Sequence, residues 1–192
     1  AMLACDEGIA STSGLADAMQ AAGVPVVSVV ENGLDQQTLK AAEKHLNQNR
    51  IADDWVRIVY GSGTDTHDVD FAEAADAILH IMNEFPRVKL RLIGLLELPK
   101  GFEQFTSRIE RMEFCKYEEY LVYLAECDIS IAPLENYIFN EAKSNIKFLE
   151  ASIMKVPSVC SPRSAYTSVI VDGENGLLAE KLAEWKQALT RL

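Results

Sequence analysis

The stretch Val56-Arg57-Ile58-Val59-Tyr60-Gly61-Ser62-Gly63 decides the fold. Residues 56–60 are mostly apolar, and the glycines that follow end the run, which is typical of a strand leading into a turn. A helix is predicted next at Asp70–Phe85, and a second strand at Val88–Ile93. A strand, a helix and a strand joined by short connections predict a βαβ unit with parallel strands.

The same alternation continues to the end of the chain. Further strands are predicted at Ile109–Phe114, Ile129–Ala132 and Ser158–Cys160. Further helices are predicted at Tyr117–Cys127, Lys143–Met154 and Leu182–Leu192. The predicted fold class is therefore α/β, a Rossmann-like parallel sheet with helices on both faces.

The segment before Val56 has a similar but shorter pattern. A strand at Gly8–Ser11, a helix at Ser13–Ala22 and a strand at Val24–Val30 are predicted, with Ser13 as the helix cap. The valine-rich run is typical of a strand covered on both faces. A polar helix is predicted at Gln36–Asn49, as a surface or connecting element.

Composition limits the possible functions. The chain has 192 residues and a formal net charge of −11, which argues against a general nucleic-acid surface. No run approaches the roughly 20 apolar residues of a membrane span. The cysteines, Cys5, Cys115, Cys127 and Cys160, lack metal-site spacing, so buried reduced thiols are expected.

Two stretches after predicted strands are candidate ligand sites, because ligands of parallel sheets bind where the strands end. In Gly61–Thr64, glycines allow close backbone approach and hydroxyls can donate hydrogen bonds; a plain turn is the alternative. Further on, Lys143, Lys147 and Glu150 share one face of a predicted helix. They form either a solvated row of ion pairs or a site for a diphosphate and a ribose.

Taken in order, several short motifs resemble the glycosyl transferase group 1 family, whose retaining enzymes have the GT-B arrangement of two facing Rossmann-like domains. The resemblance covers nearly the whole chain. The stretches that carry it are 32–35 (NGLD), 60–64 (YGSGT), 86–94 (PRVKLRLIG), 124–134 (LAECDISIAPL), 148–151 (FLEA), 156–159 (VPSV) and 172–178 (DGENGLL).

The resemblance implies two domains. Residues 1–34 would be the remnant of an N-terminal acceptor domain with its linker, because the Asn-Gly-Leu-Asp stretch closes that domain in this family. Residues 35–192 would be the domain that binds the nucleotide-sugar donor.

The resemblance also implies roles for single residues. Glu150 matches the second glutamate of the family's paired-glutamate motif and would bind the ribose, whereas Ala142 stands at the position of the first. Lys143 would be catalytic and would stabilise the departing diphosphate. The remaining residues expected to bind the nucleotide sugar are Gly63, Thr64, Asn145, Ile146 and Lys147.

The function implied is hexosyl transfer with retention, from a nucleoside diphosphate sugar to an acceptor hydroxyl, in polysaccharide or glycoconjugate synthesis of the cell envelope. The donor is a substrate, and neither a cofactor nor a metal is expected. A glycan or lipid-linked acceptor would bind through the missing N-terminal domain, and this fragment alone would be inactive. The expected location is the cytoplasm, with the full-length protein peripheral to the inner membrane. The alternatives are a nucleotide-sugar epimerase of GT-B shape and a degenerate, non-catalytic interaction domain.

Overall fold

A six-stranded parallel sheet forms the centre of the protein. The structure, a computed structural model, describes residues 5–46, 53–62 and 67–192. The strands lie in the order β5-β4-β3-β6-β7-β8, so the first strand of the sheet, β3, lies between β4 and β6. Successive strands therefore add outward on one side of β3 and then on the other, which is the doubly wound order of Rossmann-like domains.

The sheet and its helices have the following bounds. The six strands are β3 (Val56–Ser62), β4 (Val88–Gly94), β5 (Ile109–Met112), β6 (Ile129–Ala132), β7 (Ser158–Cys160) and β8 (Leu177–Leu178). The elements before them are β1 (Glu7–Ala10), α1 (Ser13–Ala21), β2 (Val26–Val29) and α2 (Gln36–Leu46). The remaining helices are α3 (His67–Glu84), α4 (Tyr117–Ala125), α5 (Ile138–Glu141), α6 (Ile146–Ile153), α7 (Ser164–Thr167) and α8 (Leu182–Arg191). A 3₁₀ helix spans Phe102–Arg108.

Helices cover both faces of the sheet, because successive strand residues point to opposite sides. Ile58 and Tyr60 of β3 pack with buried residues of α3 and α8. Val59, between them, packs with α4 and α6 instead. The predicted fold class is confirmed.

The α4 face also holds buried charge. Arg91 of β4 is 3% exposed, and its guanidinium pairs with Glu110 of β5 and with Glu126 at the end of α4, each at 2.7 Å. Because both carboxylates accept from one guanidinium, the arginine ties two strands and a helix together.

Most predicted elements are present, with shifted ends. The helix predicted from Lys143 begins at Ile146, because the chain first forms the short helix α5 and a connection that leads away from it. Lys143 therefore precedes the helix, and its predicted place on one helical face with Lys147 and Glu150 is wrong.

The cap of α1 also differs from the prediction. The residue that caps α1 is Thr12, whose hydroxyl accepts from the N–H of Leu15 at 3.1 Å. The predicted cap, Ser13, is the first residue of the helix.

Residues before α2 form a separate unit. Strands β1 and β2 pair in a parallel sheet of their own, and α1 packs on them. The unit contacts the larger one where the Thr12 hydroxyl donates to the carbonyl of Ala142 at 3.0 Å. Apolar side chains stay open to solvent on this sheet, among them Ile9 and Val26, which are 73% and 51% exposed. The division into domains at residue 34 stays a prediction.

The cysteines are distributed unevenly. Cys127 and Cys160 are buried, as predicted, and Cys115 is half-buried. Cys5 is exposed, so the prediction of burial is wrong for this residue. Within the described ranges, no helix is both long enough and apolar enough to cross a membrane.

Candidate functional site

A cleft of about 490 Å³ opens at the carboxyl ends of β3 and β4. Its floor contains Gly61 and Ser62 from β3 and Gly94 from β4. The backbone of Gly94 has a φ of 95°, and a side chain there would collide with the carbonyl of Ser62. Glycine therefore keeps the two strand ends close together under the cleft.

One wall of the cleft is aromatic and apolar. It contains Ile93 of β4, Phe114 after β5, and Tyr117 and Tyr120 at the start of α4. The rings of Tyr117 and Tyr120 stack with their centres 6.1 Å apart, whereas Phe114 is 78% exposed. Such a wall can pack against a flat ring of a ligand.

The opposite wall is formed by the first half of α6, with Ile146, Lys147 and Glu150. Glu150 is 8% exposed, and burial raises the pKa of its carboxyl. Interactions with the hydroxyls of Tyr120 and Tyr117 oppose that rise. The pKa of Tyr117 is itself raised to about 12, mainly by burial, so its hydroxyl keeps the proton that it shares with the carboxylate.

Lys147 brings a cation into the cleft. Its ammonium lies 4.6 Å from the centre of the Tyr60 ring, and it forms no ion pair with a carboxylate in the described part of the chain. Burial lowers its pKa to about 8, and repulsion from Lys143 adds to the effect. Lys147 is half-buried, and an ammonium that has lost part of its contact with water favours an anionic ligand.

Lys143 lies next to this cleft but does not line it. Its ammonium is 2.6 Å from a carboxylate oxygen of Asp70, in the first turn of α3. The other oxygen of Asp70 accepts from the Asn140 amide at 2.7 Å and from the N–H of Glu135 at 3.0 Å. The carboxylate thus joins α3, which follows β3, to the chain that follows β6.

The start of α6 supplies backbone donors. Asn145 is buried and precedes the first helical residue, and its side chain makes no cap hydrogen bond. The first N–H groups of a helix have no partner within the helix and favour negative charge. Because Ile146 and Lys147 of this first turn line the cleft, these groups lie at its edge.

The predicted site residues therefore fall into three groups. Ile146, Lys147 and Glu150 lie together in the cleft, and Lys143 and Asn145 lie beside it. Gly63 and Thr64 are outside the described residues. Their roles in binding and the catalytic role of Lys143 stay predictions.

Sequence analysis missed Asp70 and the aromatic wall. An aspartate in the first turn of a helix is common, because it complements the helix dipole, so Asp70 gave no separate signal. Tyr117 and Tyr120 were predicted only as part of a helix. A tyrosine pair at the start of a helix that follows a strand end was the available signal.

The fold and the cleft define the chain as a Rossmann-like domain with an open cleft at the carboxyl edge of its sheet. The family model described as glycosyl transferases group 1 matches residues 57–192, which is most of the chain. The chain belongs to this family.

Solved structures of glycosyltransferases share the fold at low sequence identity. The chain is similar to sucrose-phosphate synthase from Thermosynechococcus elongatus, with 16% identity and a TM-score of 0.68 over 99% of this chain and 49% of that one. It is also similar to the Anabaena protein HepE in complex with UDP-glucose, with 17% identity and a TM-score of 0.68 over 97% of this chain and 54% of that one.

A third similar structure is WaaG, a glycosyltransferase involved in lipopolysaccharide biosynthesis, with 14% identity and a TM-score of 0.69 over 95% of this chain and 52% of that one. The chain thus spans about half the length of these structures. No curated protein matches it significantly in sequence. The fold is that of the C-terminal half of the GT-B arrangement.

Proposed function

We propose that the chain binds the nucleoside diphosphate of a sugar donor in the cleft, as the donor domain of a retaining glycosyltransferase. The observation that carries the proposal is that Glu150, Lys147 and the start of α6 share one cleft with an aromatic wall. A nucleoside diphosphate carries a flat base, a vicinal diol and a doubly charged phosphate group. The cleft offers a matching surface for each.

The ribose is assigned to Glu150. A carboxylate can accept hydrogen bonds from both hydroxyls of a vicinal diol. The hydroxyls of Tyr117 and Tyr120 interact with the same carboxylate, so they orient it and exchange places with ribose hydroxyls when the donor binds. The base packs against the wall that contains Ile93 and Phe114.

The diphosphate is assigned to the region between Lys147 and Lys143, at the N-terminus of α6. In sugar transfer the bond between the anomeric carbon and the phosphate oxygen breaks, and the electron pair stays on the diphosphate. Two ammonium groups and helix N–H groups stabilise the charge that develops there. We propose that the leaving group is stabilised in this way and that the domain uses neither a metal nor a cofactor.

The full-length protein is proposed to transfer a hexose to an acceptor hydroxyl with retention. Similar structures provide support: HepE is described in complex with UDP-glucose, and a pneumococcal O-GlcNAc transferase with UDP and GlcNAc. The lipopolysaccharide role of WaaG supports a cell-envelope glycan or lipid-linked acceptor, bound by the rest of the protein at the cytoplasmic side of the inner membrane.

The alternatives have less support. The similar structures include a sucrose-phosphate synthase and a glycosyltransferase, and the comparisons give no support for an epimerase. An open cleft that holds the Lys147 ammonium, which has no carboxylate partner among the described residues, supports ligand binding over a purely structural interaction module.

Calorimetric titration of the chain with UDP, GDP and ADP, and with the matching nucleosides, tests the proposal. We expect one nucleotide to bind at one site per chain, and its nucleoside to bind more weakly because the phosphate contacts are lost. Absence of binding by all three nucleotides to the folded chain would contradict the proposed function.

A further inference from the structure

The Asp70 carboxylate gathers three donors from one downstream segment. They are the N–H of Glu135, the amide of Asn140 and the ammonium of Lys143, which lie 65, 70 and 73 residues later in the sequence. Asp70 is 3% exposed and Asn140 is 4% exposed. These contacts therefore form a buried junction, in which the two oxygens of the Asp70 carboxylate accept hydrogen bonds from different groups.

The junction lies at the point where the strand order reverses. Asp70 belongs to the helix after β3, its partners belong to the chain after β6, and β3 and β6 are neighbours. In doubly wound sheets, ligands bind in the crevice outside the carboxyl ends of such strands. The junction thus forms one side of the place where a bound phosphate is expected.

The two oxygens of Asp70 act on different groups. One oxygen closes the loop, since Asn140 also donates to the carbonyl of Glu135 at 3.0 Å. The other oxygen holds the ammonium of Lys143 at 2.6 Å. This ammonium has three N–H groups, and only one of them can point at the oxygen. The ammonium also lies 5.7 Å from the centre of the Phe139 ring, and an N–H group that faces neither of these partners can donate to a second anion.

The charge of Lys143 also reaches Lys147. The pKa of Lys147 is lowered in part by repulsion from Lys143, whereas the carboxylates of Asp70 and Glu150 raise it. An anion placed between the cations relieves their repulsion.

We infer that Asp70 is a positioning residue of the donor site, which holds the Lys143 ammonium where the donor diphosphate binds. This inference rests on the proposed function. Asp70 does not touch the donor itself. It acts through Lys143, which precedes helix α6 in the sequence. The buried carboxylate of Asp70 fixes the otherwise flexible side chain of this lysine.

The test uses the variants Asp70→Asn, Lys143→Met and the double variant, with Asp76→Asn as a matched control on an exposed position of the same helix. Asparagine keeps an oxygen for the donors of the loop but turns an amide N–H₂ toward Lys143, so the ammonium is released. Methionine keeps the stem of Lys143 and removes its charge. The double variant removes both charges of the Asp70–Lys143 ion pair, so neither charge remains without a partner.

The nucleotide that binds most tightly among UDP, GDP and ADP is titrated into each folded variant, together with its nucleoside. We expect Asp70→Asn and Lys143→Met each to weaken nucleotide binding about tenfold and to leave nucleoside binding unchanged. The double variant should bind no more weakly than Lys143→Met, because both changes remove the same contact. A loss of packing alone would weaken binding of both ligands.

Unchanged or tighter nucleotide binding by Asp70→Asn would overturn the inference. A double variant whose loss of affinity equals the product of the losses in Asp70→Asn and Lys143→Met would overturn it as well. If Asp70→Asn does not fold, Asp70→Glu replaces it, because the longer side chain keeps the charge but displaces the ammonium and should also weaken only nucleotide binding. A wild-type chain that binds no nucleotide contradicts the proposed function as well, so the two failures are distinguishable.

Discussion

The ammonium of Lys147 lies 4.6 Å from the centre of the Tyr60 ring, at the wall of the cleft. Burial and the nearby Lys143 lower the pKa of this ammonium to about 8. Lysine ordinarily titrates near 10.5, so Lys147 loses its charge at a lower pH than a lysine in water does. Ligand binding and stability should both depend on this residue.

Nucleotide binding should weaken as the pH rises through about 8, because Lys147 is charged below this pKa and neutral above it. The terminal phosphate of a nucleoside diphosphate loses its last proton with a pKa of about 6, so further ionisation above pH 7 can only strengthen binding to cations and cannot cause the loss. Titrations between pH 7 and 9.5 measure the effect. Lys147→Arg is the control. Arginine stays charged throughout this range, so the affinity of this variant for the nucleotide should not change with pH.

The variant Lys147→Met should be more stable than the wild type at pH 7, by about 1 to 3 kcal/mol. The folded pKa is lowered, so the charged ammonium is disfavoured in the folded state at pH values below about 8, and this penalty disappears as pH rises toward 10.5. Urea unfolding at pH 7 and at pH 10 checks the sign. The gain should shrink at pH 10, and equal gains at both pH values would contradict this explanation.

The variant Glu150→Gln should weaken nucleotide binding by roughly 1 to 3 kcal/mol, the range for hydrogen bonds to a charged group. Binding of inorganic diphosphate should not change, because the proposed contact of Glu150 is with the ribose alone. Titration with both ligands separates these effects. Glu174→Gln, at an exposed position of the 172–176 turn, serves as the control and should bind both ligands like the wild type.

The variant Gly94→Ala should be destabilised by about 1 to 3 kcal/mol, the range for a residue held in a strained backbone conformation. A side chain at this residue meets the backbone of Ser62, and its φ of 95° is strained for alanine. Gly33→Ala is the comparison, because nothing lies within 4 Å of the added atom there. Denaturant unfolding of the two variants measures the difference, and equal stability would show that the floor of the cleft can relax.

The fold could be predicted from sequence because its signals are local. The apolar run of β3, the helix α3 and the strand β4 follow one another closely in the sequence. The alternation of strands and helices along the rest of the chain then predicts a doubly wound sheet. The strand Ile129–Ala132 has the predicted bounds, since Pro133 ends it. The short helix α5 was missed, because four residues are too few for a periodic pattern.

The site was only partly predictable, for a physical reason. Lys147 and Glu150 lie in one helix, so their spacing places them near each other. The partner of Lys143 is 73 residues away and depends on which strands become neighbours. The spacing of Lys143 from Lys147 suggested that both lie on one face of a helix. In the structure Lys143 lies in the connection between α5 and α6, where its ammonium forms an ion pair with the Asp70 carboxylate.

The two edges of the large sheet are short. The strand at one edge, β5, has four residues and includes Glu110 and Arg111, and the strand at the other edge, β8, has two residues. Brief or charged edges resist pairing with strands of other molecules, which protects a protein against aggregation. In concentrated solution, self-association should therefore begin on the small sheet of β1 and β2, where Ile9 is open to solvent, and leave the large sheet intact.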